Sequence, residues 1–192
     1  MIRDLVIDNR SCRSFDETKR IGREDLLDLI DTARLCPSAV NRQPLKYRPV
    51  YEPEEVEELL ALTHWAGLLK DVKLPPDGHH PTAFIVLCCD KTITENPASM
   101  QVDTGIAAQT ILLMATELGM GGCMIGAFER EAAAVALRLP KKLEPVLLIA
   151  LGIPDETIMI CNLPADGNTA YFRDKANIHF VPKRSLEEVV VE

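Results

Sequence analysis

Seven consecutive apolar residues, Ala83-Phe84-Ile85-Val86-Leu87-Cys88-Cys89, stand between chain breakers. A run of that length, too short for an ordinary helix and without polar alternation, is expected of a central β-strand buried on both faces. Such a strand needs neighbours and a covering layer. Val146-Leu147-Leu148-Ile149-Ala150-Leu151-Gly152 reads as a second buried strand. The apolar stretch Ala98 to Leu118, stopped by Gly119 and the Gly121-Gly122 pair, reads as the core helix between them. Its most apolar part, Gly105 to Ala115, is interrupted by Gln109 and Thr110 and falls short of the ~20 residues a membrane span needs.

The remaining periodicities fill in the order of elements. Ile2, Leu5 and Val6 have helical spacing before Asn9, and Arg10-Ser11-Cys12-Arg13-Ser14-Phe15 follows as a basic turn. Leu26, Leu27, Ile30 and Ala33 mark an amphipathic helix closed by Pro37. Lys46 to Val50 reads as a short strand, and Pro49 assigns it to an edge or an end. Residues 53–62 open with Pro53 and glutamates, a helix start that suits the missing N–H and the positive helix end. Thr63 to Pro81 is the longest loop candidate. Cys123-Met124-Ile125-Gly126 is a short strand and Glu129 to Leu137 an Ala-rich helix. Strands and helices thus alternate, which predicts α/β layering with helices covering a sheet. The length of 192 residues predicts one domain spanning 1–192. Its C-terminal extension, about 154–192, has one β-like piece, Ile178 to Val181, and is expected to wrap the core or reach a partner chain.

Charge limits the partners. With 21 Lys+Arg against 29 Asp+Glu, the net charge of −8 argues against nucleic acid, and one Trp, three Tyr and five Phe leave little for base stacking. Cys12, Cys36, Cys88, Cys89, Cys123 and Cys161 form no Cys-x-x-Cys, and the start MIRDLVIDNR lacks a signal-peptide pattern, so reduced, mostly buried thiols in a cytoplasmic protein are expected. No metal site is expected: His64, His79, His80 and His179 lie in loop or tail-like segments.

Three segments can carry chemistry. Arg10, Ser11 and Arg13 match phosphate oxygens in fork geometry and hydroxyl donation, or else form a solvated, salt-bridged face. The loop Pro37-Ser38-Ala39-Val40-Asn41-Arg42-Gln43-Pro44 offers amides that complement an imide edge, or else caps its own backbone as a helix stop. Leu118 to Gly126 holds four glycines that let main chain approach a flat ligand, but a helix precedes it, so it is not the dinucleotide fingerprint. Asp103 and Glu117, carboxylates on an apolar helix, each call for a partner.

Together these segments resemble the FMN-dependent nitroreductase family. The resemblance rests on Arg10-Ser11-x-Arg13-x-Phe15, Pro37-Ser38-Ala39-x-Asn41-x-Gln43-Pro44, Asp103-x-Gly105-Ile106-Ala107-Ala108-Gln109, Glu117-Leu118-Gly119-x-Gly121-x-Cys123-x-Ile125-Gly126, and Pro145-Val146 through Ala150-Leu151-Gly152, in that order. It implies a central mixed β-sheet flanked by helices and an intertwined homodimer with two FMN sites at the subunit interface. Arg10, Ser11 and Arg13 then match the groups on the phosphate and ribityl chain. Pro37, Ser38, Ala39, Asn41 and Gln43 match a loop contributed largely by the partner chain. Gly122, Cys123, Met124, Ile125 and Gly126 match the segment along the flavin ring, with a backbone N–H near Gly126 facing N5. Lys183 and Arg184 match a basic pair returning to the phosphate. Leu45 stands where the family often has an aromatic residue, and His64 and Trp65 fall in a variable region that would line a substrate pocket.

The activity implied is reduction of bound FMN by NAD(P)H and ping-pong transfer to a small acceptor such as a nitroaromatic or quinone, with no catalytic side chain beyond the flavin chemistry. The alternatives are the same fold with another flavin reaction (flavin reduction, dehalogenation or oxidation of an unsaturated bond) and a non-catalytic FMN-binding redox sensor.

Overall fold

The computed structural model describes residues 1–67 and 72–192; residues 68–71 of the long 63–81 loop lie outside the described residues. The apolar runs form the middle of a four-stranded sheet. Its strands are β1 (Leu45–Val50), β2 (Ala83–Asp90), β3 (Gly121–Ile125) and β4 (Leu143–Gly152), in the order β1-β2-β4-β3. Every residue of β2 is buried, because β1 and β4 flank it and helices cover it. Pro49 sits in β1, at the sheet's edge, where the missing N–H leaves no central ladder unpaired.

All three pairings among these four strands are antiparallel, and the parallel contact at this sheet is the isolated bridge between Ser11 and Gly122 at the edge of β3. The helices α3 (Pro53–Leu60) and α5 (Arg130–Ala136) are each about two turns long, and because the strands they join are antiparallel the chain re-enters at the sheet end it left. Parallel pairing of whole strands occurs in the tail. There β5 (Ile158–Asn162) runs parallel to β7 (His179–Lys183), and β6 (Phe172–Arg173) pairs antiparallel on the other side of β7. The 154–192 segment therefore carries a small mixed sheet of its own where one β-like piece was expected.

Two apolar clusters sandwich the central sheet. On one face Ile85, Leu87, Ile149 and Leu151 meet α2 (Arg23–Ala33) through Leu26 and Leu29, and α4 (Gln101–Glu117) through Ala108 and Ile111. On the other, Phe84, Val86, Leu148 and Ala150 meet α3 and α5 through Val56, Leu59 and Ala133. Cys88 and Cys89 are both buried as small core groups, and all six cysteines are free thiols. The short α1 (Ile2–Asp8) lies against α4 and exposes Ile2, Val6 and Ile7.

The glycines of β3 are strand residues, so the strand starts two residues before the predicted Cys123. A Cβ on Gly122 would sit 2.5 Å from the Ala150 carbonyl oxygen and 2.8 Å from Leu112 Cδ2, and one on Gly121 2.6 Å from Pro154 Cγ. Gly126 has nothing within 4 Å. Gly122→Ala is accordingly expected to lose about 1–3 kcal/mol in urea unfolding by overpacking. Gly126→Ala is expected to stay within about 0.5 kcal/mol of the parent.

Candidate functional site

The N-terminal turn is fastened at two places. Asn9, ending α1, donates its side-chain amide to Leu112 O and to Thr116 Oγ1, both at 3.0 Å, and accepts from Gln109 Nε2 at 3.2 Å, all on α4. Ser11 then pairs in parallel with Gly122, and Cys12 N donates to Gly122 O at 2.9 Å. The turn thus continues the sheet beyond β3. It holds Arg10 and Arg13 beside that strand, with Arg10 Nη2 donating to Val6 O (2.7 Å) and Arg13 Nη1 to Ser11 O (3.1 Å).

The tail sheet closes the other side. Glu156 accepts from Arg13 N and from Arg173 Nη2, each at 2.5 Å, and the Arg13 guanidinium lies 5.3 Å from the centre of the Tyr171 ring. Between turn, β3 and tail lies a cavity of about 340 Å3 lined by Arg10, Ser11, Arg13, Met124, His179 and Lys183 among others. Four residues predicted from separate motifs to hold one phosphate, three from the turn and Lys183 from the tail, are therefore neighbours. Arg184 is not in this wall; its Nη1 lies 3.3 Å from Glu188 Oε1 across the first turn of α6 (Leu186–Val189).

The charge in this cavity is one-sided. Arg173 is paired with Glu156, but among the described residues no carboxylate forms an ion pair with Arg10, Arg13 or Lys183. Arg10 Nε is buried without a hydrogen-bond partner, and so is His179 Nδ1. In a chain of net charge −8, cations without ion-pair partners among the described residues and an orphaned Arg10 Nε–H at one cavity fit an anionic group such as a phosphate ester. Burial lowers the pKa of Arg10 from its ordinary value, as expected for a cation held partly out of water.

The loop 37–44 builds a second cluster. Asp103, buried in α4, accepts from Ser38 Oγ at 2.6 Å and from Ala39 N at 3.1 Å, and Ser38 Oγ accepts in turn from Gln43 N at 3.0 Å. These bonds hold a loop in which Val40, Asn41 and Gln43 all have φ near +53°. That conformation is costly for a β-branched residue and persists only where the surroundings impose it. Asn41 and Gln43 are exposed, with Gln43 Nε2 donating to Asn41 Oδ1 at 3.1 Å. Pro37, Ser38 and Gln43 line a cavity of about 280 Å3 with Cys36, Tyr47 and Asp103. Burial, with smaller contributions from Cys36 and Asp103, pushes the Tyr47 hydroxyl up to about 12, so it stays a neutral donor. This cavity shares no lining residue with the first. Within one chain the two predicted clusters are not brought together.

The other predicted residues divide. Met124 is exposed into the first cavity, whereas Ile125 belongs to the core and Cys123 is buried, its thiol pushed up chiefly by burial and pulled back by Arg13. Gly122 is close-packed against its own chain, so Gly126 is the glycine of this segment with open space at its Cα. His64 and Trp65 line neither cavity. Their backbone meets the segment after Gly126, through His64 N to Ala127 O (2.9 Å), with His64 Nε2 3.0 Å from Glu129 Oε1 and Trp65 Nε1 donating to Thr63 Oγ1 (2.7 Å). Glu117 is exposed and needs no partner. Asn9, Tyr171, Arg173, Glu156 and His179 were not singled out for the site; only the placement of a His in the tail hinted at the last.

A sequence profile of the nitroreductase family matches residues 7–153. The chain belongs to the nitroreductase family. A Methanothermobacter thermautotrophicus protein, provisionally named NADH dehydrogenase/NAD(P)H nitroreductase, is 31% identical to this nitroreductase-family chain over 158 residues, covering 80% of this chain and 77% of its own. A Bacillus subtilis protein named FMN reductase (NADPH) is 26% identical over 171 residues, covering 79% of this chain and 65% of its own. A crystal structure of a nitroreductase family protein from Clostridium novyi NT shares the fold at 22% identity, with a TM-score of 0.66 over 100% of this chain and 99% of that one. Among the described residues no helix is long and apolar enough to cross a membrane.

The Asp103 carboxylate has a physical task that is directly measurable. Asp103→Asn replaces one acceptor oxygen by a donor facing Ser38 Oγ or Ala39 N, and is expected to cost about 1–3 kcal/mol in denaturant unfolding. Faster amide exchange at Ala39 and Gln43, with the β2 amides unaffected, would locate that loss in the loop.

Proposed function

We propose that this chain is an FMN-dependent oxidoreductase that uses NAD(P)H to reduce a small organic acceptor, a nitroaromatic or a quinone, and that it works as a homodimer. The observation that carries the reading is the cavity under the N-terminal turn, where Arg10, Arg13 and Lys183 converge without ion-pair partners among the described residues. These three groups would hold the phosphate, with the Ser11 hydroxyl as a further donor. Gly126, with open space at its Cα, would let a flat ring approach the main chain. The relatives named NAD(P)H nitroreductase and FMN reductase (NADPH) support this choice of cofactor and electron donor.

Bound FMN would supply hydride chemistry at N5, with NAD(P)H and the acceptor using one site in turn, a ping-pong order. The chain's own work is binding and orientation. Exposed amides of Asn41 and Gln43 complement the imide edge of a flavin, and Asp103 keeps their loop in its strained form. Because that loop lines a different cavity from the phosphate cluster, a second copy is the natural source of the amides at each site. α4 supports this, since its apolar residues are not confined to the core face: Val102 and Ile106 are exposed beside Gly105 on the other. Size-exclusion chromatography with light scattering is expected to give about twice the chain mass of 21.3 kDa.

The purified protein is expected to be yellow or to take up FMN, and anaerobic NADH or NADPH to bleach it. Arg10→Ala with Arg13→Ala removes two charged hydrogen-bonding groups and is expected to raise the FMN Kd on the order of a hundredfold or more. A protein that stays colourless with excess FMN would refute the reading. Bound FMN that neither nucleotide bleaches would favour the redox-sensor alternative.

A further inference from the structure

His179 lines the phosphate cavity as a buried imidazole. Its residue is 2% exposed, at the start of β7, where its N–H is fixed to Thr157 O at 2.9 Å. The ring tilts against Tyr171 with centroids 5.2 Å apart, it lines the cavity, and its Nδ1 has no hydrogen-bond partner. A buried imidazole with an orphaned nitrogen costs free energy that hydrophobic packing does not return.

The charged groups around it come from each neighbouring element. Arg13 and Arg10 stand on the N-terminal turn, Lys183 is further along β7, and Arg173 lies on β6. The carboxylate of Glu156, from the segment between β4 and β5, is committed to Arg173 and Arg13 N. The uncompensated charge facing His179 is therefore positive. Burial first, and then Arg13 and Arg173, push the imidazole down to about 4, so the ring is neutral near pH 7.

Resting on the reading of this cavity as the seat of the FMN phosphate, we propose that His179 is a ligand of that phosphate, neutral before the anion arrives and protonated once it is in place. A phosphate ester brings between one and two negative charges and free acceptor oxygens. It would offset Arg10, Arg13 and Lys183 and give the imidazole the partner it lacks. The cofactor-bound state then holds one proton more than the free state between the two titration midpoints. By linkage, FMN affinity rises as pH falls through that interval, up to tenfold per unit of separation.

The test is a pH titration of the full chain labelled at histidine Cε1, followed by NMR with and without FMN. There are four histidines, and His179→Gln identifies the signal. The expected result is a midpoint near or below pH 5 without FMN and near or above pH 7 with it. In parallel, the FMN Kd from flavin fluorescence is expected to tighten between pH 7.5 and 5.5 more in the parent than in His179→Gln, the phosphate's own titration being common to both. A His179 midpoint that stays put while FMN binds would overturn the proposal, as would equal pH dependence in the two proteins. Failure of the parent to bind FMN at any pH would instead overturn the cofactor reading on which the proposal rests. The NMR arm uses the parent protein's own signal, so a poorly folded variant does not remove the test.

Discussion

The hydrogen bond from Cys12 N to Gly122 O is the joint on which the site depends. β3 is the last strand of the sheet, and its outer edge would otherwise present unpaired backbone groups. The N-terminal turn covers that edge, and in doing so it carries Arg10, Ser11 and Arg13 against Met124 and the tail sheet. Glycine at 122 is what permits this layering, because β4 and Leu112 already occupy the space where a side chain would go. Main-chain pairing thus sets the position of Arg10 and Arg13.

The electrostatic pattern follows from that joint. The carboxylate that approaches Arg13, Glu156, is spent on the Arg13 backbone N–H and on Arg173, with its side chain almost fully buried. The bond from Arg13 N fastens the tail to the N-terminal turn, and among the described residues Arg10, Arg13 and Lys183 form no ion pair of their own. Cys12 lies in the same joint, and burial pushes its thiol up to about 12, so it contributes packing and not nucleophilicity. The second device is the Asp103 clamp, which stores strain in the 37–44 loop and presents its amides to solvent. Both devices attach to α4, the loop at Asp103 in its first turn and Asn9 at Gln109, Leu112 and Thr116 in its second half, which makes that helix the common scaffold.

Much of this was legible in the residues. The runs at 83–89 and 146–152 became neighbouring strands, Pro49 fell on an edge strand, and Asp103 did require a partner. Hydrophobic periodicity reports burial, and these features are burial features. Strand direction was not legible, since antiparallel and parallel sheets buried on both faces present the same apolar runs. The tail sheet was missed in part because β6 is two residues long and β5 is only half-buried, so neither shows a period. His179 and Glu156 were missed because their surroundings come from far along the chain; Arg13 and Glu156 are separated by 143 positions. The role of Gly122 also depends on the third dimension: glycine richness pointed to a ligand, and close packing against Ala150 is what the residue does in its own chain.

The central claim is that a backbone-positioned turn and a strained loop, which line separate cavities in one chain, together serve one cofactor. A crystal structure of the protein grown with FMN tests it most directly. The account predicts the phosphate among Arg10, Arg13, Lys183 and His179 of one copy, with the flavin's imide edge against the 37–44 loop of a second copy. FMN bound with its phosphate away from Arg10 and Arg13, or with both clusters of one copy unused, would contradict it.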